Sequence, residues 1–182
     1  MLESALARVD AEPHGVIAGF STDVEVSITA DYFSQLRGTF YIQRLLANKR
    51  AADGEAGAPE PMTVQQVLHI ATIGGAMCNG LGNKIGTLTP GKQADIIMID
   101  AGSIMNMPLN NAYGTAVLGA NAKAVRHVMI AGQFKKWDGK LLDVDEDRVR
   151  RLVHESRDYL AEKSKLWSPA DIFSEHLLRK SA

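Results

Sequence analysis

A mixed α/β fold is predicted by three features of the sequence. Apolar runs of strand length stand at Val16–Phe20, Ala94–Ile99, Val125–Ala131 and Phe134–Trp137. Longer stretches with helical spacing and clear start signals lie between and after them. Turn dipeptides punctuate the second half: Pro90 presets φ for the turn that Gly91 completes, and Asp138-Gly139 separates two apolar runs. The order is helix, strand, two helices, a small group of strands, then helices. That is neither a regular βαβ alternation nor a self-contained sandwich.

Taken in order, Leu2, Ala5, Leu6 and Val9 have helical spacing, and Pro13 and Gly15 end that element. Val16–Phe20 is the first strand, stopped by Ser21-Thr22-Asp23. From Asp31 to about Asn48, Phe33, Leu36, Phe40 and Arg44 or Leu45 suggest an amphipathic helix capped by Thr29 or Asp31. Lys49–Pro61 is rich in Ala, Gly and Pro and reads as a surface loop. Thr63-x-x-Gln66 is a capping box for the next helix, whose stripe is Val67, Leu68, Ala71 and a buried Cys78. Gly74-Gly75 allow close approach of a neighbour on that helix, and Gly80 or Gly82 stops it.

Ile85–Asp100, IGTLTPGKQADIIMID, is a turn-rich segment that leads into a strand expected to be covered on both faces. Lys92 reads as a surface turn residue. Tyr113–Leu118 is a further strand candidate, and Val125–Ala131 pairs with Phe134–Trp137 across a glycine of positive φ. Asp145 begins a charged helix with Val149, Leu152, Val153 and Leu160 on one side, and a tail from Trp167 forms one more helix.

The formal net charge is −1 with acidic and basic residues interleaved, which leaves no electrostatic footprint for nucleic acid or an anionic membrane. No apolar run reaches the roughly 20 residues of a membrane span, and the charged N-terminus lacks a secretory apolar core. The single cysteine excludes an internal disulfide framework and implies a reducing, cytoplasmic setting.

Asp23 is the first candidate for chemistry, because it stands where an apolar strand gives way to loop and helix. In a (β/α)8 barrel that position opens onto the catalytic face, where a carboxylate can ligate a metal and accept a proton from bound water. The same position equally suits a strand-end turn residue or an Asx cap. Thr22 and Glu25 are placed to contact a substrate from the same loop, or to be plain loop residues. Asp31 is a hydrogen-bond acceptor near that site or a helix N-cap.

Several motifs in order resemble one family. Ser21-Thr22-Asp23 with Asp31-Tyr32-Phe33 is similar to the eighth barrel strand and following helix of the metal-dependent amidohydrolases. More narrowly it resembles the branch of the cytosine deaminases, chlorohydrolases and S-adenosylhomocysteine deaminases. Thr63–Gly82 resembles that branch's next helix, Ile85–Asp100 its passage from barrel to small β-sandwich, and VMIAGQFKKWDGKLL its closing strands. The likeness covers about Val16–Val144.

The resemblance implies a barrel remnant at 1–82 (strand eight and flanking helices), β-sandwich strands at 83–144 and C-terminal helices at 145–182. The strands at Ile96–Ile99, Val125–Ile130 and Phe134–Trp137 are expected to come together in a small sandwich or a three- to four-stranded sheet. It implies hydrolysis of a C–N bond in a small molecule by water activated on zinc or another divalent transition metal, with Asp23 as metal ligand and proton acceptor. The family's other ligands come from a His-x-His and further barrel histidines. The five histidines here, His14, His69, His127, His154 and His176, include no i, i+2 pair and match none of them. The expectation is therefore a chain inactive by itself, partnered by a missing N-terminal barrel portion or by its own copies. The alternative is a non-catalytic oligomerisation or interaction module.

Overall fold

The computed structural model describes residues 17–22 and 29–164. The expected first helix, His14, Asp23, Glu25, the tail from Trp167 and His176 lie outside them. The chain divides into two compact units, Met1–Leu142 and Asp143–Ala182. Among the described residues no helix is long and apolar enough to cross a membrane.

In the first unit, α1 spans Tyr32–Ala52, with the Asp31 side chain accepting from the N–H of Phe33 as its N-cap. It runs four residues past the predicted end, so the loop begins only at Asp53. Its buried face is more polar than predicted: Gln35, Thr39 and Gln43 are buried with Phe33, Leu36 and Ala47, while Leu45 is exposed. Gln43 explains its own burial. Its Oε1 accepts the N–H of Met62 at 2.6 Å and its Nε2 donates to the Glu60 carbonyl. Arg44 adds a bond to the Met62 carbonyl, so α1 pins the far end of the loop through its backbone.

The second helix, α2, covers residues 64–78 and opens on the expected capping box, with Thr63 and Gln66 each accepting from the other's backbone N–H. Its middle turn, Ile70–Gly74, is a π-helical bulge that nothing in the sequence announced. The helix ends at Cys78 in a Schellman motif. Gly80 takes φ +68°, its N–H bonds to the Met77 carbonyl, and the N–H of Leu81 bonds to the Ala76 carbonyl.

The strand expected at Val16–Phe20 does not form across 17–20, and among the described residues no strand lies beside it to complete a ladder. The segment instead runs against the glycines of α2. A Cβ on Gly74 would overlap the Ala18 carbonyl oxygen, and one on Gly19 would stand 3.1 Å from the Gly75 Cα. Cys78 is also corrected. It is exposed at the helix end, with its thiol 3.6 Å from the Ile17 carbonyl.

Tyr113–Leu118 is helical rather than extended. Helix α3, Ala112–Gly114, is capped by Asn111, whose side chain accepts the N–H of Gly114, and continues as a π turn over Thr115–Gly119. The β-branched Thr115 and Val117 suggest a strand, but the cap and the full burial of Val117 decide for helix. A single 3₁₀ turn at Ala122–Ala124 follows.

The sheet is one antiparallel meander, β1 Ile96–Ile99, β2 Val125–Ile130, β3 Gln133–Trp137 and β4 Lys140–Leu141, in that spatial order. Ile97 lies opposite Val128, and Ile130 opposite Gln133. Both hairpins close through two-residue loops with positive φ at each position: Ala131 +49° and Gly132 +80°, then Asp138 +47° and Gly139 +81°. These are type I′ turns, whose twist matches that of the strands. Of the two expectations, a small sandwich or a three- to four-stranded sheet, the described residues form the sheet, and it unites the three expected strands. Accordingly β1 is not covered on both faces, and Ile97 and Met98 are about half exposed.

Two apolar clusters hold the unit together. Leu36, Met62, Val67, Ile70 and Val117 form one, against which Ala18, Phe20, Tyr32 and Phe40 pack. Phe33, Ala120 and Val125 form the other and join α1 to the sheet. In the second unit α4 spans Glu146–Ser164, with Asp145 Oδ1 accepting the N–H of Arg148 at 2.9 Å.

Candidate functional site

The described part of the candidate site is the segment approaching Asp23 and the segment leaving it. On the approach, residues 17–20 lie on the glycine face of α2, and Phe20 meets Tyr32 edge to face with ring centroids 6.4 Å apart. Thr22 is half-buried at the end of this run. Beyond the site, the Tyr32 hydroxyl donates to the Ala71 carbonyl at 3.3 Å, and burial pushes its phenol above the ordinary value. The aromatic pair therefore fixes both ends of the loop against α2.

Asp31 is fully occupied. Its carboxylate accepts the N–H of Phe33 at 3.3 Å, the hydroxyl of Ser34 at 2.6 Å and Nη2 of Arg37 at 3.2 Å. Arg37 in turn donates from Nη1 to the Ala120 carbonyl at 2.6 Å, just past the end of the π turn. Sequence reading assigned Arg37 nothing. The signal was weak because Asp31 is a cap outside the helix, so the pair spans six residues instead of the three or four of a helical ion pair.

The Ile85–Asp100 segment is held by its own chemistry. Lys92 stands half-buried in the expected turn and does more than face solvent: Nζ donates to the Gly82 carbonyl at 2.6 Å and the Ile85 carbonyl at 3.1 Å. Gly86 has φ +90°, and a Cβ there would stand 2.8 Å from the Ala76 Cβ, so the loop presses on α2 where only glycine fits. Asp95 Oδ1 accepts the N–H of Ala131. Between this loop, α2 and β1 lies a cleft of about 440 Å³ lined by Ala71, Thr72, Ile85, Leu88 and Ile97 among others.

The histidines that are described do not converge. His69 is exposed on α2. His127 is on β2, where its Nδ1 accepts the N–H of Asp138 at 3.2 Å and its ring lies 4.3 Å from Trp137. His154 is exposed on α4. Among the described residues no group of three or more His, Cys, Asp or Glu side chains could hold a metal ion. The described residues therefore do not fit a metal centre by themselves.

The model of the amidohydrolase family matches residues 3–135. The chain belongs to this family. The amidohydrolase is 30% identical over 150 residues to a 5-methylthioadenosine/S-adenosylhomocysteine deaminase of Desulforamulus reducens, a match covering 82% of this chain and 33% of that protein. It is 31% identical over 120 residues to an S-triazine hydrolase of Gordonia rubripertincta, covering 65% and 23%. Among solved structures, an adenosine deaminase from Xanthomonas campestris with bound zinc superposes with a TM-score of 0.61 at 28% identity, over 71% of this chain and 28% of that one. The chain thus spans about a third or less of the length of these relatives.

Proposed function

We propose that this amidohydrolase chain supplies the last barrel strand segment, its flanking helices and the small sheet of an enzyme that hydrolyses a C–N bond in a small nitrogen-rich molecule, in the manner of a deaminase. The observation that carries the reading is the 30% identity to a named deaminase across 82% of this chain, which accounts for only 33% of that protein. The remaining barrel, with its histidine ligands, comes from polypeptide outside this sequence, and the chain by itself is inactive.

Within that enzyme Asp23 would be one of the residues that hold the metal, and its carboxylate would accept a proton. Thr22 and Glu25 face the substrate from the same loop. Asp31, tied to Ser34 and Arg37, positions the loop's exit and does not react. A bound zinc or other divalent transition metal would supply the activated water.

The test is complementation. The purified chain is assayed alone and after coexpression with the N-terminal remainder of the Desulforamulus reducens relative, with 5-methylthioadenosine and S-adenosylhomocysteine as substrates. Expected are no turnover and no stoichiometric transition metal for the chain alone, and both recovered by the pair but not by its Asp23→Asn form. Turnover by the purified chain alone overturns the dependence on a missing portion. Failure of the pair to bind metal overturns the site.

A further inference from the structure

Helix α2 ends on Asn79-Gly80, the one Asn-Gly pair in the sequence. That pair carries its own chemistry. Glycine has no Cβ to obstruct its amide nitrogen, so the nitrogen can attack the Cγ of the preceding side chain. The Cγ–Nδ2 bond then breaks, ammonia leaves with the peptide proton, and a five-membered imide forms. Water opens the imide at either carbonyl. One opening gives aspartate, and the other gives isoaspartate, whose main chain runs through the side-chain carbons. Both residues are exposed, so water reaches them.

The fold holds the reacting groups apart. Asn79 has φ −92° and ψ 8°, so the Gly80 nitrogen nearly eclipses the backbone nitrogen of Asn79. Ring closure requires it to eclipse Cβ instead, a third of a turn away around the tetrahedral Cα. The Gly80 N–H is given to the Met77 carbonyl at 3.0 Å, and the Leu81 N–H to the Ala76 carbonyl at 2.8 Å. The carboxamide is drawn the other way: Asn79 Nδ2 donates to the Gly75 carbonyl at 2.8 Å, one turn back along the helix. Turning ψ far enough to close the ring therefore breaks both bonds of the Schellman motif.

We infer that Asn79-Gly80 is a deamidation site gated by the C-terminal cap of α2, closed while the cap stands and reactive when the last turn opens. The gate works once. Aspartate at position 79 has no donor for the Gly75 carbonyl, and it puts a negative charge at the C-terminal end of a helix, where the dipole disfavours it. Isoaspartate lengthens the main chain by one atom and spoils the spacing of both cap bonds. A chain that has opened and reacted cannot remake the same cap. The inference rests on the cap alone and not on the proposed hydrolytic reading.

The test follows the full chain at mildly alkaline pH by mass spectrometry of the peptide that contains residue 79, with isoaspartyl methylation marking the rearranged product. Expected is conversion at Asn79 at least about tenfold slower in the folded chain than in urea-unfolded chain, the factor that about 1.4 kcal/mol of cap opening supplies. Across sub-denaturing urea the rate should rise with hydrogen exchange at the Gly80 and Leu81 amides. It should not follow exchange at Val67, which is fully buried nearer the start of the helix. Leu81→Pro removes the donor to the Ala76 carbonyl and, with helix content retained by circular dichroism, should deamidate several-fold faster. Equal rates in folded and unfolded chain, a rate that follows Val67, or a folded Leu81→Pro chain no faster than the parent overturns the inference.

Discussion

Asp95 Oδ1 accepts the backbone N–H of Ala131 at 2.7 Å, and the neighbouring Ala94 carbonyl accepts that of Gly132 at 3.0 Å. The residue that closes the Gly-Lys-Gln-Ala-Asp run thus caps the β2–β3 turn, where Ala131 holds φ +49°. An aspartate at the head of β1 is thereby explained by a hairpin 36 residues away. Asp95→Ala should lower stability by about 0.5–1 kcal/mol in urea unfolding, the net worth of one solvent-exposed hydrogen bond whose donor water can satisfy. Asp95→Asn keeps an acceptor and should cost less than half of that.

Lys92 should behave as a structural residue. Lys92→Met removes a charged donor from the Gly82 and Ile85 carbonyls and should cost about 2 kcal/mol. Hydrogen exchange should rise first at Gln93, whose N–H bonds to the Lys84 carbonyl within the same loop.

The two glycines of α2 should respond in opposite ways. A methyl at Gly74 overlaps the Ala18 carbonyl, whereas one at Gly75 meets nothing nearer than the Ile70 carbonyl at 3.7 Å. Gly74→Ala should release residues 17–20 from the helix, seen as faster amide exchange there and a lower Tm. Gly75→Ala should be neutral or stabilising by up to about 1 kcal/mol through helix propensity.

Thr39 is 2% exposed, and its hydroxyl has no hydrogen-bond partner among the described residues. Thr39→Val exchanges a desolvated hydroxyl for a methyl and should raise stability by about 1 kcal/mol in thermal melts. Gln43→Leu, made four residues further along the same face, should be destabilising by a similar amount or more, because it orphans the buried N–H of Met62.

How much was legible varies by residue, for a physical reason each time. The Thr63–Gln66 box, the Gly80 stop and both hairpin turns are decided by backbone conformations only a few residue types satisfy, so local sequence announces them. Tyr113–Leu118 was misread because β-branched residues suit a strand until Asn111 caps a helix and a buried site receives Val117. Arg37 escaped because its partners, Asp31 and the Ala120 carbonyl, are brought together by folding and not by spacing.

By itself the sequence determined the family, the order of most elements, the turn types and the absence of the family's histidine pattern. Those properties rest on short-range sterics, on capping chemistry and on which residues are present at all. The tertiary structure alone decided that Lys92 clamps a loop and that Cys78 lies exposed. It also decided that 17–20 packs on glycines without joining a sheet and that the strands make one layer. Each of those depends on what stands opposite, and for 17–20 and β1 nothing in the described residues stands opposite to complete a ladder or cover a face.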